Sequence, residues 1–296
     1  MEEEVMKIGW IGTGVMGFSM AGHLIDGGHD IYVFNRTKEK AEGLLARGAI
    51  WCDSPFDVAF STDILFTIIG LPSDVEEVYF GEKGILSSRP ACSIVVDMTT
   101  TRPGLSRAIS RKAVELGLES LDAPVSGGDI GARDASLAIM VGGKESVFNE
   151  VVPIFRLMGK NIFYMGGPGA GQHTKMCNQI LVAGTMIGVC ESLIYAAGLG
   201  LDREAVIEVI GKGAASSWSI NNLGPRIVRG EYDTGFFVEH FIKDMGIALE
   251  EASAAGVSLP GLALVQQLYV AVKAQGHGRS GTQALYLALK ALSEKS

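Results

Sequence analysis

Lys7-Ile-Gly-Trp-Ile-Gly-Thr-Gly-Val-Met-Gly17 is the stretch that decides the fold. A short apolar run of strand character passes directly into Gly12-x-Gly14-x-x-Gly17 and then into a helical pattern. Each glycine meets a separate demand. Gly12 permits the tight turn, Gly14 lets the backbone approach a pyrophosphate, and Gly17 lets the helix lie close on the strand. Phosphates held along Gly12, Thr13, Gly14, Val15, Met16 and Gly17 meet free N–H groups and the positive end of the helix dipole. A chain with 39 glycines also produces this spacing by accident, so a purely structural glycine-rich turn is the alternative. The flanking strand and helix favour a dinucleotide. A second apolar run, Asp30-Ile-Tyr-Val-Phe34, ends about where a ribose-reading residue is expected.

The residues after that run choose the cofactor. An Asp or Glu there accepts hydrogen bonds from the ribose hydroxyls and selects NAD. This chain has Asn35-Arg36-Thr37 instead. Asn35 has no charge to repel a 2′-phosphate, Arg36 can pair with one through two parallel N–H bonds, and Thr37 can donate another. NADP is the expected cofactor, with NAD also accommodated if Arg36 only stacks on adenine or stays in water.

Composition narrows the classes further. The 296 residues suffice for two domains and a large core, and 47% hydrophobic with 20% charged residues is ordinary for a globular protein. A net charge of −8 argues against a general affinity for nucleic acid or an anionic membrane. The acidic start, Met1-Glu-Glu-Glu-Val-Met6, lacks a cationic region followed by an apolar run, so no secretory signal is expected. Ile180 to Cys190 is the most apolar stretch; it is too short to span a bilayer and reads as a helix buried inside protein. Cys52, Cys92, Cys177 and Cys190 show neither CxxC pairing nor metal-like grouping with the five histidines. Reduced, mostly buried thiols in a cytoplasmic protein without a metal are expected.

Strand patterns at Lys7–Ile11, Ile31–Phe34, Ile64–Ile68, Ser93–Asp97, Glu119–Asp122, Leu137–Val141 and Ile162–Met165 alternate with helical patterns near 15–27, 38–47, 73–80, 103–116 and 144–158. This is the signature of an α/β domain: an N-terminal Rossmann, doubly wound and mostly parallel sheet over residues 1–165, with every strand's C-terminal end along one edge. After Gly166-Gly-Pro-Gly-Ala-Gly171 the pattern changes to a long apolar helix reaching about Gly198, then helices near 203–212, 239–256, 260–276 and 281–294. Residues 166–296 are therefore read as an all-α C-terminal domain for substrate and dimerisation.

Four places could carry chemistry. Gly70-Leu71-Pro72-Ser73 and Asp97-Met98-Thr99-Thr100-Thr101 follow strands, where a cofactor's ribose and nicotinamide would lie. Equally, Pro72 can set a turn and the threonines can cap a helix. Asp122-Ala-Pro-Val-Ser-Gly-Gly128 offers a hydroxyl and unobstructed N–H groups at Ser126, Gly127 and Gly128, suited to a carboxylate or merely to a Gly-Gly turn. In the helix after Gly171, Lys175, Asn178 and Gln179 share one face. A lone helical lysine is usually a solvated charge. Here the helix dipole, an apolar helix and a nearby oxidised nicotinamide would all disfavour the ammonium and suit a proton-transfer role.

Taken together these residues resemble the β-hydroxyacid dehydrogenases, which include 3-hydroxyisobutyrate dehydrogenases, tartronate semialdehyde reductases and glyoxylate/succinic semialdehyde reductases. The resemblance spans almost the whole chain. It rests on Ile8–Gly17, Asp122–Gly128, Gly169-x-Gly171-x-x-x-Lys175-x-x-Asn178, and Phe241-Ile-Lys243-Asp244. It implies Lys175 as general acid/base, Ser126 to Gly128 as the substrate carboxylate site, and Leu71, Pro72 and Thr100 as cofactor contacts. Lys243 would lie near nicotinamide and substrate, oriented by Asp244. Many members place asparagine four residues after the lysine, where this chain has Gln179, so either Asn178 or Gln179 can supply the substrate-facing amide. Trp218, with Ser216, Ser217 and Ser219, reads as a loop lining the pocket or as a buried packing residue. The resemblance and the excess apolar surface of the long helix imply a homodimer or homotetramer. Imine reductases, phosphosugar dehydrogenases and a non-catalytic dinucleotide-binding module are the rival readings.

Overall fold

The computed structural model describes residues 5–233 and 235–293. The acidic start at 1–4 and the last residue of the helix expected over 281–294 lie outside the described residues. The chain divides into two compact units, Met1–Lys175 and Met176–Ser296.

The first unit is built on nine strands among the described residues: β1 (Lys7–Ile11), β2 (Asp30–Phe34), β3 (Ile50–Trp51), β4 (Ile64–Thr67), β5 (Ile94–Asp97), β6 (Glu119–Asp122), β7 (Val125–Ser126), β8 (Leu137–Gly143) and β9 (Gly159–Gly166). The sheet order is β3-β2-β1-β4-β5-β6-β8-β7, with β9 paired to β8. From β3 through β6 all pairs are parallel. Side-chain alternation explains the layers. Ile8 and Trp10 of β1, Ile64 and Phe66 of β4, and Ile94 and Val96 of β5 join one core. Ile11, Leu65 and Val95 point the other way into a second core with Val58, Val75 and Ile109 from covering helices. Helices therefore cover both faces, as the doubly wound reading requires.

The expectation of one common edge for all strand ends needs correction. β8 runs antiparallel to β6 and to β7, and β9 follows β8, so these two strands are reversed. Short elements also escaped the periodicity: β3 and β7 have two residues each, and the helices Pro55–Ser61 and Gly128–Arg133 are seven and six residues long. Ser54 caps the first of these, accepting from the Asp57 N–H, with Pro55 at its first position.

The second unit is helical. The long helix Ala170–Gly198 enters it, followed by Arg203–Ile210, Trp218–Asn222, Gly224–Arg229, Val238–Ala254, Pro260–Val272 and Leu285–Ser293. Its core includes Met186, Cys190, Leu193, Phe241, Met245, Tyr269 and Leu285. The unit boundary falls ten residues beyond the one expected at 165/166, because the first turns of the long helix are bonded to the sheet. The long helix that includes Ile180–Cys190 is only partly covered within the single chain. Only 33% of the most apolar window of this helix is buried, although by length and composition it could cross a membrane.

Candidate active site

The glycine turn has the geometry its spacing implies. Gly12 sits at φ +102°, and a Cβ there would strike the Ile68 carbonyl oxygen; a Cβ on Gly17 would strike the Gly12 carbonyl. Gly14 is different, since a Cβ would meet nothing within 4 Å. The fold itself does not require glycine at that position, whereas a phosphate lying on the backbone does. The residues present thus fit a dinucleotide. Val15 is exposed beside it, and Met16 holds the N-cap of the helix Gly17–Asp26.

Asn35 binds the turn to the loop after β2. Its Oδ1 accepts from the Thr13 N–H at 3.1 Å and its Nδ2 donates to the Thr37 carbonyl at 2.7 Å. Asn35 is therefore a brace. Arg36 is 87% exposed, with Nη1 3.3 Å from Asp74 Oδ1, and Thr37 is also exposed. Leu71 caps the helix Pro72–Phe80, its N–H donating to Asp74 Oδ2 at 3.1 Å, and Pro72 occupies the first position.

The loop after β5 is stitched in place. Asp97 Oδ1 accepts from Thr67 Oγ1 at 2.9 Å and from the Thr99 N–H at 3.0 Å, while the Ile69 N–H donates to Thr99 Oγ1 at 3.0 Å. These threonines do not cap the next helix: Pro103–Glu115 has Arg102 at its N-cap and no side-chain cap bond. Instead the loop is gripped by Gln172, which is fully buried. Gln172 Oε1 accepts from the Thr101 N–H at 3.0 Å and its Nε2 donates to the Thr99 carbonyl at 2.7 Å. Asp122, at the end of β6, accepts from the Gly169 N–H at 2.7 Å and the Gln172 N–H at 2.9 Å. A carboxylate facing the free N–H groups of a helix N-terminus is a favourable arrangement. Gly171 is needed here, because a Cβ would strike the Met140 carbonyl.

One turn after Gln172 comes Lys175, 7% exposed. Asp122 and Gln172 thus fix the helix bearing Lys175 against the Thr99–Thr101 loop, in which Thr100 is half-buried. Ser126 ends β7, and Gly127 and Gly128 follow at φ +133° and +64°. No neighbour lies where a Gly128 Cβ would project, so its backbone is open to a ligand.

Within the second unit a chain of hydrogen bonds joins four sequence-predicted residues. Asn178 Nδ2 donates to Gln179 Oε1 at 2.7 Å, Gln179 Nε2 donates to Asp244 Oδ2 at 2.6 Å, and Lys243 Nζ lies 2.8 Å from Asp244 Oδ1. Gln179 and Asp244 are buried, while Asn178 and Lys243 are only partly so. The amide of Gln179 is engaged at both ends as a strut to Asp244. His240 stands one turn before Lys243, and burial, then the Lys243 charge, holds its pKa below the usual imidazole range. Trp218 is neither in a loop nor buried: it opens the helix Trp218–Asn222, capped by Ser217, and is exposed. His173, in the first turn of the long helix, has Nε2 3.3 Å from Arg107 Nη1.

Residues 7–166 match the family model of the NAD-binding domain of 6-phosphogluconate dehydrogenase, and residues 169–289 match that of NADP-dependent 3-hydroxyisobutyrate dehydrogenase. The chain is 54% identical to an uncharacterised oxidoreductase of Bacillus subtilis, over 94% of this chain and 97% of that one. It is 38% identical to the 2-hydroxy-3-oxopropionate reductase of Escherichia coli, over 97% and 98%. A solved 3-hydroxyisobutyrate dehydrogenase from Mycobacterium tuberculosis with L-serine superposes with a TM-score of 0.85 at 27% identity, over 97% of this chain and 100% of that one. The chain belongs to the β-hydroxyacid dehydrogenases.

It is an NAD(P)-dependent 3-hydroxyacid dehydrogenase. The residues that sequence reading missed in this dehydrogenase are those bonded around its candidate site residues: Asp74, Asp97, Asp122 and Gln172. Asp97 and Asp122 each close a strand, and an acid at a strand end was the available signal. Asp97 and Asp122 are also register partners on β5 and β6. Burial pushes each carboxyl up to about 6, against the opposing pull of hydrogen bonds from Thr99 and Thr67 on Asp97 and from Gly169 and Gln172 on Asp122. Raised acids bind more protons folded than unfolded, so their contribution to stability is complete below about pH 4 and is lost as pH rises through about 6. Asp97→Asn removes one of these titrations. Its melting temperature relative to the parent is expected to improve between about pH 4 and 6 and to level off above that. An offset that stays constant across that window contradicts the assignment.

Proposed function

We propose that this dehydrogenase prefers NADP, uses Lys175 as general acid/base, and acts on short β-hydroxy carboxylates or the matching semialdehydes. The observation that carries the proposal is the burial of Lys175 on a helix whose first turn is bonded to the loop after β5. The bound nicotinamide dinucleotide supplies or accepts the hydride. The chain's own residues do the rest. The Gly12–Gly17 turn holds the pyrophosphate, Arg36 and Thr37 meet the 2′-phosphate, and Leu71, Pro72 and Thr100 line the loops after β4 and β5. Ser126 Oγ and the N–H groups of Gly127 and Gly128 take the substrate carboxylate. Neutral Lys175 removes the hydroxyl proton in oxidation; as ammonium it polarises the carbonyl and returns that proton in reduction. Within the second unit, Asn178 and Gln179 are the candidate substrate-facing amides, with Gln179 bonded to Asp244 and Asp244 orienting Lys243.

Support for a short β-hydroxy acid comes from the open backbone at Gly128, beside Ser126 and Gly127, and from the relatives. L-Serine, present in the mycobacterial structure, is itself a short 3-hydroxy carboxylate. Glyoxylate, succinic semialdehyde and tartronate semialdehyde are the alternative substrates within the class. The test follows NADPH and NADH oxidation with a panel of small semialdehydes. Turnover with a three- to five-carbon member, faster with NADPH, is expected; tight NADPH binding with no turnover on any member indicates a non-catalytic module.

A second copy of this chain is proposed as partner. Cys177, Leu181, Gly184, Gly188, Glu191 and Tyr195 form an exposed stripe on the long helix, with Leu181 and Tyr195 at 72% and 68%. Their spacing of three and four residues keeps them on one face, and two glycines let another backbone approach. Glu191 on the stripe weighs against burial in lipid. Light scattering should return two or four times the chain mass, falling in Leu181→Arg. A monomeric parent contradicts this.

A further inference from the structure

We propose that Asp74 tunes cofactor selectivity by competing with a 2′-phosphate for Arg36; this rests on the reading of Arg36 given above. Because β2 and β4 flank β1 in the sheet, the loop after β2 and the start of Pro72–Phe80 stand on either side of the Gly12–Gly17 turn. The Arg36–Asp74 pair, at 3.3 Å, joins these two sides.

Asp74 is held where it is. Its Oδ2 accepts the Leu71 N–H at 3.1 Å as the cap of the helix, leaving Oδ1 directed at Arg36. The carboxylate therefore stays beside the guanidinium when a ligand arrives. Other groups nearby are committed elsewhere: Asn35 is uncharged and braces the turn, and the Lys38 ammonium lies 4.9 Å over the Trp51 ring. A 2′-phosphate at Arg36 thus meets one fixed negative charge, which NAD, having a bare 2′-hydroxyl, does not feel. Asp74 narrows the preference for NADP and keeps NAD usable.

The experiment measures Kd for NADP+ and NAD+ by fluorescence quenching at two salt concentrations, with parent, Asp74→Asn, Asp74→Ser and Arg36→Ala. Both Asp74 variants keep a short acceptor for the Leu71 N–H. Each should tighten NADP+ by about three- to tenfold at low salt, the scale of one exposed charge acting on a dianion, with the gain shrinking as salt rises. NAD+ should stay within about twofold. An unchanged NADP+/NAD+ ratio in both Asp74 variants, or equal tightening of both cofactors, overturns the proposal. If Arg36→Ala weakens NADP+ while the Asp74 variants do nothing, the role of Asp74 alone falls. If Arg36→Ala leaves NADP+ unaffected, the reading of Arg36 falls and the role of Asp74 with it.

Discussion

Lys175→Ala is expected to lower kcat by about 10²–10⁴-fold, the usual worth of a positioned general acid or base. Its effect on NADPH binding should be less than about twofold, because the proposed dinucleotide contacts lie on the turn and loops of the sheet and not on Lys175. The split follows from position. Lys175 is buried one turn beyond Gln172, which is bonded to the Thr99–Thr101 loop, so removing the amine takes away the proposed proton carrier and leaves the Gln172 bonds in place. Added small primary amines should restore part of the lost rate by standing in for the missing amine. A merely structural lysine would show lowered stability, no amine rescue and parallel losses in kcat and cofactor affinity. Near-parental turnover in Lys175→Ala contradicts the assignment.

The paired substitutions Gly12→Ala and Gly14→Val should separate what the fold needs from what the cofactor needs. At Gly12 a side chain collides with the Ile68 carbonyl, and φ is +102°. Overpacking together with a left-handed backbone should cost about 2–5 kcal/mol and lower the melting temperature by many degrees. At Gly14 a Cβ meets nothing within 4 Å, and stability should stay within about 0.5 kcal/mol of the parent. Cofactor affinity should fall by at least about tenfold in Gly14→Val, because the new methyl groups occupy the place of the pyrophosphate. Calorimetry and cofactor titration on the same samples decide it. A stable Gly14→Val that binds NADPH as the parent does would remove the pyrophosphate from this turn.

Long periodic elements were legible because local residues determine them. β1, β2 and β6, the helix Ala170–Gly198 and most of the helices after it fall within a few residues of their sequence patterns. Two-residue strands and the helices Trp218–Asn222 and Gly224–Arg229 were not legible, since so few residues complete neither a strand alternation nor two helical turns. The reversal of β8 is a pairing property and leaves no mark within the strand. The candidate site divides in the same way. Gly12, Gly14, Gly17, Ser126 and Lys175 sit in short motifs with their own chemistry. Gln172 acts on Thr99 and Thr101, more than seventy positions away, and Asp74 acts on Arg36 across 38 positions. Such partners become visible only once the sheet order has brought their loops together.

Reduction of a three- to five-carbon semialdehyde with NADPH deuterated at the transferring position of nicotinamide C4, followed by mass spectrometry of the hydroxy acid, tests the central claim most directly. One deuterium fixed at the carbinol carbon, at a rate that collapses in Lys175→Ala, is the predicted result. Product without deuterium, or no conversion of any candidate by a chain that binds NADPH tightly, would contradict it.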